Sequence, residues 1–160
     1  MNEEVKYISY EEAISVYAKM IDASDGGFDG VRDEGGIRAA LEFVQNDMYY
    51  PNFSDKLCSL VYKFCSGHYF NDGNKRIALT LGTYFLHKNS YFWQATIFMR
   101  QMESIVYHVA ASNIDKDLLL RIMTCFMNGE DYDEELKIDI ANAMSKGELG
   151  INGEDYKVKV

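Results

Sequence analysis

The sequence is poor in the residues that punctuate or cross-link a chain. Only one of its 160 residues is proline, Pro51, so no proline-rich linker divides it. Its three cysteines, Cys58, Cys65 and Cys125, are odd in number and form no CxxC pair. Cys58 and Cys65 stand seven apart on a predicted helix and share one side of it, with Cα atoms roughly 10 Å apart, too far for a disulfide. They read as buried thiols of a reducing compartment, which points to a cytoplasmic protein. No stretch reaches the roughly 20 apolar residues of a membrane span. The opening Met1-Asn2-Glu3-Glu4-Val5-Lys6 has neither a basic n-region nor an apolar h-region, so no secretory signal is expected. Internal repeats and low-complexity tracts are also lacking.

What is present is an ordinary globular composition, 48% hydrophobic and 26% charged, in a length that suits one domain with a sizeable core. With 16 basic and 25 acidic side chains the net charge is −9, which argues against nucleic acid or an anionic membrane as the main partner. That charge is unevenly placed. Residues 1–50 carry a net −7 and residues 129–160 a net −5, whereas residues 51–128 carry a net +3.

Most of the chain reads as helix. Ser9-Tyr10-Glu11-Glu12 has capping-box form and precedes Ile14, Tyr17 and Ile21 at helical spacing. The turn residues Ser24-Asp25-Gly26-Gly27 end that helix. Asp33 can cap a second helix carrying Ile37, Ala40, Leu41 and Val44. A third opens at Ser54 with Leu57, Leu60, Val61 and Phe64 on one face, and Gly67 is placed to end it as a C′ residue. A fourth, about 74–88, is apolar almost all round over 77–86 and reads as the central buried helix. A short extended piece at Tyr91 to Trp93, helices near 97–111 and 115–128, and a weaker helix near 134–146 follow. Asn152-Gly153 between short alternating runs suggests a small C-terminal hairpin.

The chemistry concentrates between the third and fourth helices, in His68-Tyr69-Phe70-Asn71-Asp72-Gly73-Asn74-Lys75-Arg76. A base, a carboxylate, a glycine, amides and two cations lie in a short loop that enters a buried helix. The free N–H groups of a helix start attract anions, and Gly73 permits close backbone approach. Lys75 and Arg76 carry the wrong sign for a helix N-terminus unless an anion lies there, which argues for phosphate. Asp72 is a hard oxygen ligand able to hold Mg²⁺ beside phosphates, and His68 can accept a proton from a hydroxyl near neutral pH. The plainer alternative is that Asn-Asp-Gly-Asn is a turn and Lys-Arg a solvated surface.

The segment resembles the signature of the Fic/Doc family, HxFx(D/E)(G/A)N(G/K)R. His68, Phe70, Asp72, Gly73, Asn74, Lys75 and Arg76 match every specified position. Ile77-Ala78-Leu79 resembles the continuation NKRTAL of the Doc branch. The run from Gly30 through Arg32-Asp33 to Ala40-Leu41, and Tyr84-Phe85-Leu86-His87-Lys88-Asn89-Ser90-Tyr91, are similar to two further stretches of that branch. The likeness covers about residues 7–128, and the division it suggests is a catalytic domain over 1–128 with an acidic extension over 129–160.

The resemblance implies a compact, mainly α bundle that binds ATP and Mg²⁺ and modifies a hydroxyl of a protein. His68 would be the general base and Asp72 the metal ligand. Gly73, Asn74 and Lys75 would line the phosphate cradle, Arg76 would pair with the distal phosphates, and Phe70 would anchor the loop in the core. Adenylylating members usually carry Gly where Lys75 stands and often a second Arg where Leu79 stands. Both differences resemble the Doc branch, whose members send the γ-phosphate of ATP to a threonine of elongation factor Tu and act as toxins. Phosphoryl transfer is therefore the expectation, with AMP transfer and a silent binding module as alternatives. Tyr69 fills a position usually held by Pro or Ile, which would leave the loop less rigid. Family members often hold their target with a flap about 35–40 residues before the motif histidine, where Gly27, Phe28, Asp29 and Gly30 lie, as a possible β-hairpin; a mobile acidic loop is the other reading. The inhibitory pattern (S/T)xxxE(G/N) has no match, since Ser145-Lys146-Gly147-Glu148 has the wrong spacing, so a separate antitoxin is expected. His87 and His108 lie away from the motif, and no Cys/His cluster has zinc spacing.

Overall fold

A computed structural model describes residues 3–24 and 30–159, from 147 onward as backbone only. Among these residues the chain is mainly helical, with seven helices: α1 (Tyr10–Ala23), α2 (Glu34–Phe43), α3 (Phe53–Ser66), α4 (Asn74–Lys88), α5 (Phe92–Ala110), α6 (Lys116–Asn128) and α7 (Glu134–Lys159). Local chemistry sets their starts. Ser9 Oγ accepts from the Glu12 N–H at 3.1 Å while Glu12 accepts from the Ser9 N–H, the reciprocal box expected at α1. Asp33 caps α2 through the Gly36 N–H at 2.8 Å, and Asp115 caps α6 through the Leu118 N–H at 2.8 Å.

α4 is the axis of the bundle. Ile77, Ala78, Leu81, Gly82, Phe85 and Leu86 are buried on it, and α1, α3 and α5 pack around it. α6 lies against α3, and Leu136, Ile140 and Ala143 of α7 join the same core. The central burial of α4 fixes the end that carries the motif, because its start cannot swing without disturbing three neighbours.

Three local expectations are corrected. Phe92 and Trp93 belong to α5 rather than to an extended piece. The chain turns at Ser90, whose φ is 69°, and the buried series Ala95, Phe98, Met102 and Ile105 lets the helix start at once. Gly67 is the C-cap of α3 and keeps φ −80°, so the left-handed C′ position expected at Gly67 falls instead to His68, whose φ is 52°. The hairpin about Asn152-Gly153 is absent, and α7 runs on through those residues. A lone two-stranded hairpin is marginal in water, and the described residues offer no sheet for it to extend. The sole pairing of strand type among them is an isolated antiparallel bridge between Val31 and Phe70.

Candidate functional site

The motif loop is held from three sides. The 30–33 segment binds its back: the Asn71 N–H donates to the Gly30 carbonyl at 3.0 Å, and the Arg32 and Asp33 N–H groups donate to the Tyr69 carbonyl at 2.8 and 3.0 Å. Gly30 has φ +145°, and a Cβ there would lie 2.5 Å from the Asn71 amide nitrogen, so this contact requires glycine. Beneath the loop, the Phe70 ring is fully buried and stacks on Tyr17 of α1 at 4.0 Å and 20°. The Tyr17 hydroxyl reaches past that ring and donates to the Asp72 carbonyl at 2.9 Å. From α4, Asn74 accepts the Phe70 N–H at 3.1 Å and donates to the Phe70 carbonyl at 3.0 Å. The Asn74 side chain is thus engaged with the loop itself, and its backbone N–H is what it presents at the helix start. Tyr69 packs edge-on to Phe64 at 5.3 Å and adds to the loop's anchorage instead of loosening it.

Gly73 then turns the chain into α4 with φ 80°, ψ 22°, a left-handed conformation that suits glycine. A Cβ there would also press on Met20 Cε at 3.1 Å. No side chain caps the helix and no acid lies in its first turn. The first N–H groups of α4 are therefore open, with the positive end of the helix dipole behind them.

These residues border one cleft of about 440 Å³, lined by His68, Asp72, Gly73, Lys75 and Arg76 on the motif side and by Cys65 and Ala110 behind it. His68, Asp72, Lys75 and Arg76 are all solvent-exposed. His68 adopts φ 52°, unusual for a residue with a side chain, at a cost on the order of 1 kcal/mol. Its ring has no hydrogen bond among the described residues, and the residue lines the cleft. Asp72 lies 3.8 Å from Arg76, a half-exposed pair worth little in itself. Lys75 leans the other way, its Nζ 5.8 Å from the centre of the Tyr107 ring on α5. Burial pushes the Cys65 thiol up to about 11, and it donates to the Val106 carbonyl at 3.4 Å, so it remains a thiol rather than a nucleophile.

Does this donor set fit a metal? No group of three metal-ligating side chains exists among the described residues, so they build no closed cage. Mg²⁺ needs none, because it binds through one or two carboxylates together with substrate phosphates. A single exposed carboxylate beside an open, cationic helix start meets that requirement.

The Fic/DOC family profile matches residues 7–86. The chain belongs to the Fic/DOC family. It is 33% identical over 96 residues to a protein named Toxin Doc from Mycolicibacterium smegmatis, spanning 58% of this chain and 74% of that one. It is 35% identical over 88 residues to Protein kinase doc of Escherichia phage P1, spanning 53% of this chain and 69% of that protein. The Doc branch is thus the part of the family it is most plainly allied to.

The structure brings together His68, Phe70, Asp72, Gly73, Asn74, Lys75 and Arg76. Of the flap, Gly30 is placed behind the loop as described, and Gly27, Phe28 and Asp29 lie outside the described residues. His87 stacks edge-on with Phe92, and His108 contacts Asn113; both lie away from the cleft, as expected. Tyr17 was readable only as a core position of the first helix. Helical spacing shows that a tyrosine faces inward, not that its hydroxyl will meet a carbonyl 55 residues away. No helix among the described residues is long and apolar enough to cross a membrane.

Proposed function

We propose that this Fic/DOC protein transfers the γ-phosphoryl group of ATP to a hydroxyl of a protein, in the manner of a Doc toxin. The observation that carries the reading is the uncapped, cationic start of α4 beside His68, an anion site with a base at its edge. ATP lays its phosphates along the open N–H groups of Gly73, Asn74 and Lys75, and Arg76 neutralises the distal phosphate. Asp72 would hold Mg²⁺, which would supply further charge neutralisation at the phosphates.

His68 takes the proton of the incoming Ser, Thr or Tyr hydroxyl. The hydroxyl oxygen then bonds to the γ-phosphorus while the bond from that phosphorus to the β–γ bridging oxygen breaks. ADP leaves, the target keeps the phosphoryl group, and the proton rests on His68 until solvent removes it. Positioning and charge neutralisation carry most of such a reaction, so one base and one cationic loop suffice. Lys75 supports γ- over α-chemistry: a long cation fills the place where adenylylating relatives usually have glycine.

The names of the two relatives, a toxin and a protein kinase, support a toxin role and phosphoryl transfer. The likeness of the motif to the Doc branch suggests an elongation factor Tu-like threonine as target and a separate antitoxin as partner, and the buried thiols suggest the cytoplasm as the place of action. Purified protein incubated with bacterial lysate and either α- or γ-labelled ATP tests the reaction. A labelled protein band is expected from the γ label alone. Label from α-labelled ATP would establish AMP transfer in its place, and no label from either would leave a binding module.

A further inference from the structure

A second cleft, of about 470 Å³, opens between the first turns of α5 and the connection from α6 to α7. Its walls include Trp93, Ile97, Phe126 and Tyr132, and Glu130 and Asp131 stand at its side. All of these residues lie beyond 7–86, the part matched by the family profile, and none borders the motif cleft. Gly129, at φ 67°, ends α6 and sends the chain across the mouth, and Asp133 then caps α7 through the Leu136 N–H at 2.8 Å. Glu130 and Asp131 therefore sit on a short bridge held at both ends, in a fixed place.

The chemistry of this cleft is lopsided. Trp93 is the chain's single tryptophan and is 71% exposed, a poor arrangement for a ring with no partner. The Glu130 and Asp131 carboxylates make no ion pair among the described residues, and no basic side chain lines the walls. On α6 and α7, Arg121 is engaged with Asp139 at 2.6 Å and Lys137 with Glu134 at 3.6 Å. The thiol of Cys125 registers the local field: burial raises its pKa first, and Glu130, Asp133 and Asp131 raise it further. A purely apolar occupant would strip water from unpaired carboxylates without replacing it, and an anion would be repelled.

We propose that this cleft is a docking site for a partner protein that inserts an arginine or lysine flanked by apolar residues. A guanidinium fits best, since it stacks on aromatic faces and pairs with carboxylates at once. The occupant brings the charge that the cleft lacks, and its apolar flanks cover Trp93.

Trp93 gives a direct readout because no other tryptophan contributes fluorescence. The full chain is titrated with acetyl-Leu-Arg-Leu-amide and with the glutamine analogue, and N-acetyl-tryptophanamide serves as a blank for plain quenching. A saturable change with the arginine peptide is expected, weakening as salt rises and falling about tenfold or more in Glu130→Gln/Asp131→Asn. Circular dichroism of that exposed double variant is expected to match the parent. No saturable change, equal response to the glutamine peptide, or an unaltered affinity in the double variant would each overturn the proposal.

Discussion

The two ends of α4 carry the same kind of charge and treat it in opposite ways. At the C-terminal end Lys88 stands where the helix dipole favours a cation, and the protein gives it a partner. Its ammonium lies 2.7 Å from Glu12 of α1, and the same carboxylate accepts the Tyr84 hydroxyl. At the N-terminal end Lys75 and Arg76 stand where the dipole disfavours them, beside an open row of N–H groups, with Arg76 in a loose 3.8 Å contact to Asp72 and Lys75 5.8 Å from the centre of the Tyr107 ring. One end is closed on itself and holds α1 against α4. The other is left incomplete, open to the phosphate chain proposed for it. A surface that satisfies its charges serves stability; one that accumulates them unsatisfied in a cleft serves a ligand.

The largest effect expected at the open end comes from the base. His68→Ala should lower the rate of protein labelling by about 10²–10⁴-fold, measured by single-turnover transfer from γ-labelled ATP, with the circular dichroism spectrum unchanged. An equally fast variant would remove His68 from the chemistry.

At the closed end the expectation concerns acid stability. Hydrogen bonds from Lys88 and Tyr84 hold the Glu12 carboxyl at about 2, below its ordinary value of 4.5. A lowered folded-state pKa means that the stabilisation is complete above about 4.5 and drains away as pH falls toward 2. Urea unfolding of Glu12→Gln should show a loss of about 1 kcal/mol at neutral pH and a flatter decline through that acid range than the parent. Parallel curves would mean that the α1–α4 clasp is not where this pH dependence arises.

The smallest change joins the two ends through α1. Tyr17→Phe keeps the ring stacked on Phe70 and removes the hydroxyl's bond to the Asp72 carbonyl. Stability should drop by about 1 kcal/mol, and the KM for MgATP should rise more than kcat falls, because Asp72, the residue proposed to hold the metal, loses its backbone anchor. A lowered stability with KM and kcat both unchanged would assign Tyr17 to core packing alone.

The sequence shows the open end of α4 more clearly than the closed one. Ser9 and Glu12, Asp33, and the apolar stretch over 77–86 announce helix starts and the buried axis, because capping and periodicity act over a few residues. The motif is legible for the same reason, being local. Contacts between distant residues are not written in any spacing. Glu12 reads as half of a capping box, and nothing nearby reveals that Lys88 and Tyr84 will share it. No spacing places Lys56 in the core, yet it is 2% exposed, its charge held by Asp47 at 2.7 Å and the Val44 carbonyl at 3.2 Å. The C-terminal segment misleads in the other direction: Asn-Gly is a strong local turn signal, but a turn with no sheet behind it yields to a helix already under way.

Calorimetric titration of MgATP into the parent, Arg76→Ala and Lys88→Ala, with the Tm of each, tests the contrast between the two ends most directly. Arg76→Ala should weaken binding by about tenfold or more and leave the Tm within about 2 °C of the parent. Lys88→Ala should lower the Tm by about 2–4 °C and leave the affinity unchanged. Equal affinities in all three proteins, or a Tm loss confined to Arg76→Ala, would contradict the account.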